Sequence, residues 1–289
     1  MKIGLVMEGG AMRGMFTAGV TDVMMENGIE FDSAIGVSAG ATFGCNMKSK
    51  QIGRAIRYNK RFCRDWRFCS IRSWILTGDL YGAKFCYETL PYELDIYDID
   101  TYVKNPMDFY VVTTDMDTGK ALYHNCLIGG DEDLLWIRAS ASMPVASRPV
   151  ILHGRRLSDG GTANAVPLDF MMHKGIQKNV VILTQPDSYR KEQMKHFWLI
   201  KLMLWRYPAL VRALKTRPAR YNRNIDFVRQ QEAAGNAFVI RPDAPLNIGS
   251  VEHDPAELER VYQIGREVAL RELPALQEFM KKIKGLTEE

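Results

Sequence analysis

Gly36-Val37-Ser38-Ala39-Gly40 joins a short apolar run, Ser33–Val37, to a helix-compatible stretch, Ala39–Met47. No other feature constrains the fold of this 289-residue chain as strongly. A serine between a strand end and a helix start sits on a sharp turn. The backbone there is crowded, so only small residues fit on either side of the serine. The turn pushes the Ser38 hydroxyl out of the sheet top, and the helix N-terminus favours negative charge at that oxygen. The same five residues could also be a glycine-rich turn that merely closes a strand–helix unit.

A second glycine cluster, Glu8-Gly9-Gly10-Ala11-Met12-Arg13-Gly14, follows the apolar run Lys2–Met7. Consecutive glycines before a helix expose several backbone N–H groups, an arrangement that binds anions. One reading is a dinucleotide fingerprint, in which Ala11 stands where the second glycine belongs and Glu30 or Asp32 supplies the downstream acid. Another is an oxyanion hole to which Arg13 adds positive charge. A third is a helix-start cluster with a surface arginine. The P-loop pattern is not met, because no Lys-Ser/Thr follows Gly14.

The remaining pattern alternates strands and helices. Ala11–Glu26 reads as a helix stopped by Asn27-Gly28. Asp108–Thr113 and Gly119–His124 read as a hairpin, and Pro149–His153 and Arg155–Leu157 flank a turn at Gly154. Asn179–Thr184 and Asn236–Ile240 are further buried-strand candidates. Ala256–Glu272 reads as an amphipathic helix that Pro274 is expected to interrupt before Ala275–Lys284 resumes it. The expected fold is α/β, a three-layer sandwich whose mostly parallel central sheet is flanked by helices, with a helical C-terminal portion. A signal peptide is not expected, nor is a spanning helix, since no stretch reaches about 18 uncharged apolar residues. Five cysteines with no CxxC pair suit a reducing, cytoplasmic setting rather than a disulfide framework or zinc site.

Ser38 needs a base. His124, His153, His173, His196 and His253 share no motif context, so none is favoured. A carboxylate could serve if it were held against the hydroxyl and partly desolvated, which raises its pKa. The candidate is Asp159 in Asp159-Gly160-Gly161, although an Asp-Gly pair is also a common turn. With only one strand ahead of the elbow, an ordinary α/β-hydrolase is disfavoured.

Three motifs therefore stand in order: Gly9-Gly10-Ala11-Met12-Arg13-Gly14, Gly36-Val37-Ser38-Ala39-Gly40 and Asp159-Gly160-Gly161. The set resembles the patatin-like phospholipases, bacterial members especially. Ala139-Ser140-Ala141-Ser142-Met143-Pro144 and Thr114-Asp115…Thr118-Gly119-Lys120 look like family sequence too. The resemblance covers roughly residues 3–172. It implies a catalytic domain over that range, with 173–289 continuing the sheet and adding helices as a lid or interface within one compact unit. It also implies a Ser–Asp dyad acyl hydrolase acting on lipid or phospholipid esters without cofactor or metal. Carried over by position, Ser38 is the nucleophile and Asp159 the general base. The N–H groups around Gly9, Gly10 and Ala11, with Arg13, make the oxyanion hole, while Gly14, Gly36, Gly40, Gly160 and Gly161 are motif glycines. The departures are Ala11, where many members have a third glycine, and Asp-Gly-Gly in place of the commoner Asp-Gly-Ala. An acyltransferase would share the chemistry up to the acyl-enzyme, and a non-enzymatic lipid- or nucleotide-binding protein would leave the serine incidental.

The net charge of +4 conceals a divided distribution. Residues 48–72 hold nine Lys/Arg against one acid, and 190–229 hold eleven against two. The two windows carry +17 and the rest of the chain −13. Divided charge points to an anionic partner surface. Spacings in 48–72 place many of its cations on one helix face. In 195–215, Phe197, Ile200, Leu204, Val211 and Leu214 form one helical stripe, outside which Trp198, Leu202, Met203 and Trp205 fall. Such a helix suits peripheral contact with an anionic membrane, or a core or oligomer contact with snorkelling cations. Nucleic acid is not an expected partner, since no nucleic-acid motif accompanies the charge.

Overall fold

The computed structural model describes residues 1–285. Its strands are β1 Ile3–Met7, β2 Ser33–Val37, β3 Asp108–Asp115, β4 Ala121–Asn125, β5 Val150–Leu152, β6 Arg155–Asp159, β7 Lys178–Ile182 and β8 Ala237–Ile240. The α-helices are α1 Gly14–Glu26, α2 Ala39–Lys48, α3 Arg54–Phe62, α4 Ile71–Thr77, α5 Ile99–Lys104, α6 Asp131–Ala141, α7 Leu168–His173, α8 Phe197–Met203, α9 Pro208–Ala233 and α10 Pro255–Gly285. Tight 3₁₀ turns at Ala11–Arg13 and Gly160–Thr162 precede α1 and follow β6.

One sheet runs in the order β5-β6-β3-β2-β1-β7-β8, with β4 also paired to β3. The β3-β2-β1-β7-β8 portion is parallel, and β4, β5 and β6 enter antiparallel. Every residue of β1 and β2 is buried, as expected of central parallel strands covered on both faces. Side chains alternate between the faces. Leu5, Met7, Val180 and Ile182 join the core with α1, α2 and α10. Val6 and Val181 instead join Leu168, Met171, Tyr221, Ile225 and Val228 from α7 and α9. Two helical layers around one sheet make the α/β sandwich expected from the sequence. None of the described helices is long and apolar enough to cross a membrane.

Three local expectations need correction. Helix α10 is continuous through Pro274. An interior proline costs about 3 kcal/mol or more. Leu276, Met280 and Ile283, beyond it, are all buried in the core. Each contributes roughly 1.5–3 kcal/mol, so packing outweighs the break.

The stretch 195–215 is two helices rather than one. Pro208 starts α9 and biases Tyr207 away from helical geometry (φ −123°, ψ 66°). The stripe still converges, because Leu204 and Leu214 are buried in a small cluster with Met116, against which Phe197, Ile200 and Val211 pack. Trp198, Leu202, Met203 and Trp205 stay outside it, with Trp198 63% and Trp205 68% exposed.

The window 48–72 is largely sewn into the fold. Helix α3 ends at Phe62, so Arg64 and Arg67 leave its face. Lys48 is buried and donates to the carbonyls of Asn105 (2.9 Å) and Met107. Arg54 is buried against Asn46 and Asp95. Arg57 pairs with Asp95, Lys60 with Glu259 and Arg67 with Asp65, each at 2.7 Å.

Candidate active site

Ser38 lies between β2 and α2 at φ 53°, ψ −119°. A non-glycine residue held there stores strain of about 1–3 kcal/mol, which the surroundings must over-determine. The flanking glycines explain how the turn closes. A Cβ at Gly36 would collide with the Gly40 carbonyl, and one at Gly40 with the Met7 carbonyl. The Ser38 carbonyl accepts from Ala41 and Thr42 N–H at 2.9 and 3.0 Å, which starts α2. Its N–H donates to Ser140 Oγ at 2.9 Å. The residue is 9% exposed.

Asp159 ends β6 and lies beside Ser38 because both leave the sheet along β3. Val37 pairs with Val112, and Asp159 pairs with Thr113, the next residue. Asp159 N–H donates to the Ser142 carbonyl at 2.8 Å. Thr114 Oγ1 donates to the Asp159 carbonyl at 2.7 Å. The carboxylate accepts Gly161 N–H at 2.7 Å and shares the polar cavity with the Ser38 hydroxyl. Burial pushes this carboxyl up from the usual range; Arg217, the Ser38 hydroxyl, the Gly161 N–H and Lys191 pull the other way. A desolvated carboxylate held beside a serine hydroxyl is competent to take its proton. Gly160 packs against the Val112 carbonyl, leaving no room for a side chain.

The glycine turn follows β1 and meets Ser38 from the neighbouring strand. Among the described residues, Gly9 and Gly10 N–H donate to no protein backbone acceptor, whereas Arg13 N–H is spent on the Gly10 carbonyl at 3.1 Å. Gly9 packs against Ser38 Cβ and Gly14 against Ala39 Cβ, so the turn and the elbow are in direct contact. Ala11 adopts φ 48°, the left-handed region that glycine favours. Arg13 Nε is buried with no hydrogen-bond partner.

Two cavities meet at Ser38, Ala11 and Met143. One is apolar and lined by Phe43, Tyr58, Phe68, Tyr87, Leu134 and Ile137 among others. The second is polar and brings Gly9, Gly10, Arg13 and Asp159 together with Lys191 and Arg217. No histidine lines either cavity. His124 instead stacks on Trp136 at 4.4 Å and sits 3.2 Å from Asp133. His124, Cys126 and Asp133 lie within 4.8 Å of one another. Asp133 already accepts the Ile128 and Gly129 N–H groups at 2.7 Å, and burial pushes the Cys126 thiol well up. This donor set is thus satisfied as an internal network.

Several residues of the site escape the sequence motifs. Ser140 and Ser142 belong to the quoted 139–144 segment but carried no assigned role. Glu8 is buried and accepts Thr184 N–H at 2.6 Å, Thr184 Oγ1 at 3.1 Å and Tyr221 Oη at 2.8 Å, tying β1 to the end of β7 and to α9. Arg217 donates to the Gly161 carbonyl at 2.8 Å. The only sequence signal for Lys191 and Arg217 was the charge excess of their window.

A family model described as patatin-like phospholipase matches residues 5–172. A domain of unknown function matches 207–281, which includes Arg217 and Tyr221. The uncharacterized protein YjjU of Escherichia coli (strain K12) is 28% identical over 92% of this chain and 75% of its own length. Lysophospholipase nte1 of Aspergillus niger is 24% identical over 91% of this chain, which spans only 17% of that protein. Among solved structures, VipD from Legionella pneumophila aligns with a TM-score of 0.43 at 12% identity, over 93% of this chain and 66% of that one. The matched family model covers more than half of the sequence: the chain belongs to the patatin-like phospholipase family.

Proposed function

We propose that this chain is a lipid acyl hydrolase that cleaves carboxylic esters through Ser38 and Asp159. The observation that carries the reading is the buried Asp159 carboxylate beside the Ser38 hydroxyl, which stands where an apolar and a polar cavity meet. The family and the relatives named lysophospholipase support the substrate class.

Asp159 takes the Ser38 proton as Oγ attacks the ester carbonyl carbon. The oxygen of the tetrahedral adduct is stabilised by the N–H groups around Gly9, Gly10 and Ala11 and by the charge of Arg13. Collapse breaks the ester C–O bond, and the alcohol leaves with the proton held on Asp159. A water then gives its proton to Asp159 and attacks the acyl carbon. Ser38 leaves, regains the proton, and free fatty acid is released. The apolar cavity suits the acyl chain. The test is fatty-acid release from a lysophospholipid: the parent protein releases it, and Ser38→Ala does not. Equal release by both would end this reading.

Contact with a lipid interface belongs to the same reading. Helices α8 (Trp198, Leu202, Met203) and α4 (Ile71, Ile75, Leu76) both expose apolar residues, and Val145, in the loop that lines the polar cavity, lies between them. Trp74 Nε1 donates to the Val145 carbonyl at 3.1 Å, and Val145 packs in the cluster with Phe197 and Ile200. Lys195, Lys201 and Arg206 supply positive charge beside them. Aromatic and aliphatic groups ringed by cations suit the surface of an anionic bilayer.

A further inference from the structure

We propose that Arg13, Lys191 and Arg217 form a phosphate subsite beside Ser38, so that the preferred esters carry a phosphate group near the scissile bond. The proposal rests on the acyl hydrolase reading for its reaction, though the binding it claims is measurable without turnover.

The three cations reach one cavity from three places in the chain: the glycine turn, the segment after β7, and α9. The same cavity holds two carboxylates, Glu8 and Asp159. Both are already occupied by neutral donors. Glu8 accepts the Thr184 N–H and hydroxyl and the Tyr221 hydroxyl; Asp159 accepts the Gly161 N–H. Among the described residues none of the three cations forms an ion pair, and Arg13 Nε is buried with no partner at all. Three cations against two carboxylates leave the cavity a net positive charge next to the reacting hydroxyl.

Lys191 is held in place there. Its N–H donates to Asn222 Oδ1 at 2.9 Å, and its carbonyl accepts Asn222 Nδ2 at 3.1 Å, clamping its segment to α9. Its ammonium lies 5.0 Å from the Tyr221 ring centre and 5.9 Å from that of Tyr189. Burial, then repulsion from Arg217, lowers its pKa to about 8, with Arg13 acting in the same sense and Glu8 and Asp159 opposing. A bound dianion or diester would relieve that repulsion. Two guanidinium forks and one ammonium match the oxygens of a phosphate. The apolar cavity diverges from the other side of Ser38, so an acyl chain and a phosphate can be held at once.

The test compares soluble esters with one acyl chain, a monoacylglycerol and its phosphate-bearing counterpart lysophosphatidylglycerol, below their micelle concentrations. The parent protein is expected to favour the phosphate ester at least tenfold in kcat/KM. Lys191→Met and Arg217→Met should each reduce that ratio at least fivefold, and Lys191→Arg should restore most of it. A merely structural role would lower both substrates together. A parent ratio near one, or a ratio unchanged in both variants, overturns the proposal. Calorimetry on the Ser38→Ala protein gives an arm independent of turnover. Glycerol 3-phosphate should bind, more tightly than inorganic phosphate if a headgroup is the ligand, and Lys191→Met in that background should weaken it at least tenfold. No binding of either phosphate overturns the subsite. Binding without hydrolysis of any ester by the parent protein leaves the subsite standing and removes the hydrolase reading instead.

Discussion

Ser140 Oγ accepts the backbone N–H of Ser38 at 2.9 Å, across 102 residues of sequence. Ser140 is fully buried near the end of α6, so the strained turn under the candidate nucleophile is pinned from the helix layer. Two residues on, the Ser142 carbonyl accepts the N–H of Asp159 at 2.8 Å. One short segment thus fixes the backbone of both members of the proposed dyad.

Ser140→Ala removes the acceptor and leaves a buried N–H unpaired, a cost of about 1–3 kcal/mol. The expected outcome is a lower urea midpoint and a reduced kcat with KM little changed, because the elbow loosens while the cavities persist. Denaturation curves and steady-state kinetics check both, and a variant identical to the parent in each would contradict the role.

Asp159 sets the acid limb of the pH profile. Burial raises its pKa, so kcat/KM should climb with pH through a midpoint above the ordinary carboxylate value of about 4. Arg217→Met removes the largest opposing influence and should move that limb further up. The sign for stability is opposite. A raised folded-state pKa contributes stability at low pH that is lost as pH rises through it, so the ionised carboxylate is a net cost at neutral pH. Asp159→Asn should therefore be inactive yet at least as stable as the parent at pH 7, the difference shrinking in acid. Thermal melts across pH measure it.

Ala11 holds a left-handed backbone conformation, φ 48°. Left-handed geometry costs an alanine roughly 1–2 kcal/mol, partly offset by the entropy glycine loses on folding. Ala11→Gly should gain up to about 1 kcal/mol in stability. A lower urea midpoint for this variant would show that the methyl group packs productively.

Helix α8 presents Trp198 and Leu202 to solvent, 63% and 65% exposed. Trp198→Glu with Leu202→Glu should leave the melting temperature within a degree or two, since neither side chain is in the core, while co-sedimentation with anionic vesicles falls severalfold. Undiminished sedimentation of the double variant would remove α8 from the interface.

How much of this was legible in the sequence follows from the range of each interaction. Strands β1 and β2 and the turns after them announce themselves through local composition: apolar runs closed by glycines. Asp159 is marked by Gly160-Gly161, which the tight turn after β6 requires. Ser140 is not marked, because its role exists only once α6 lies over the elbow. Lys191 and Arg217 showed only as members of a basic window, and identical charge in 48–72 was spent on internal partners such as Asp95 and Glu259. Pro274 carries a local helix-breaking rule that burial of Leu276 and Met280 overrides.

The most direct test of the dyad is covalent labelling with a fluorophosphonate, located by peptide mapping. The expected result is a single adduct on Ser38 in the parent, none there in Ser38→Ala, and labelling slowed about 100-fold or more in Asp159→Asn, the scale of a lost general base. An adduct on another residue, or Asp159→Asn labelling at the parent rate, would contradict the assignment.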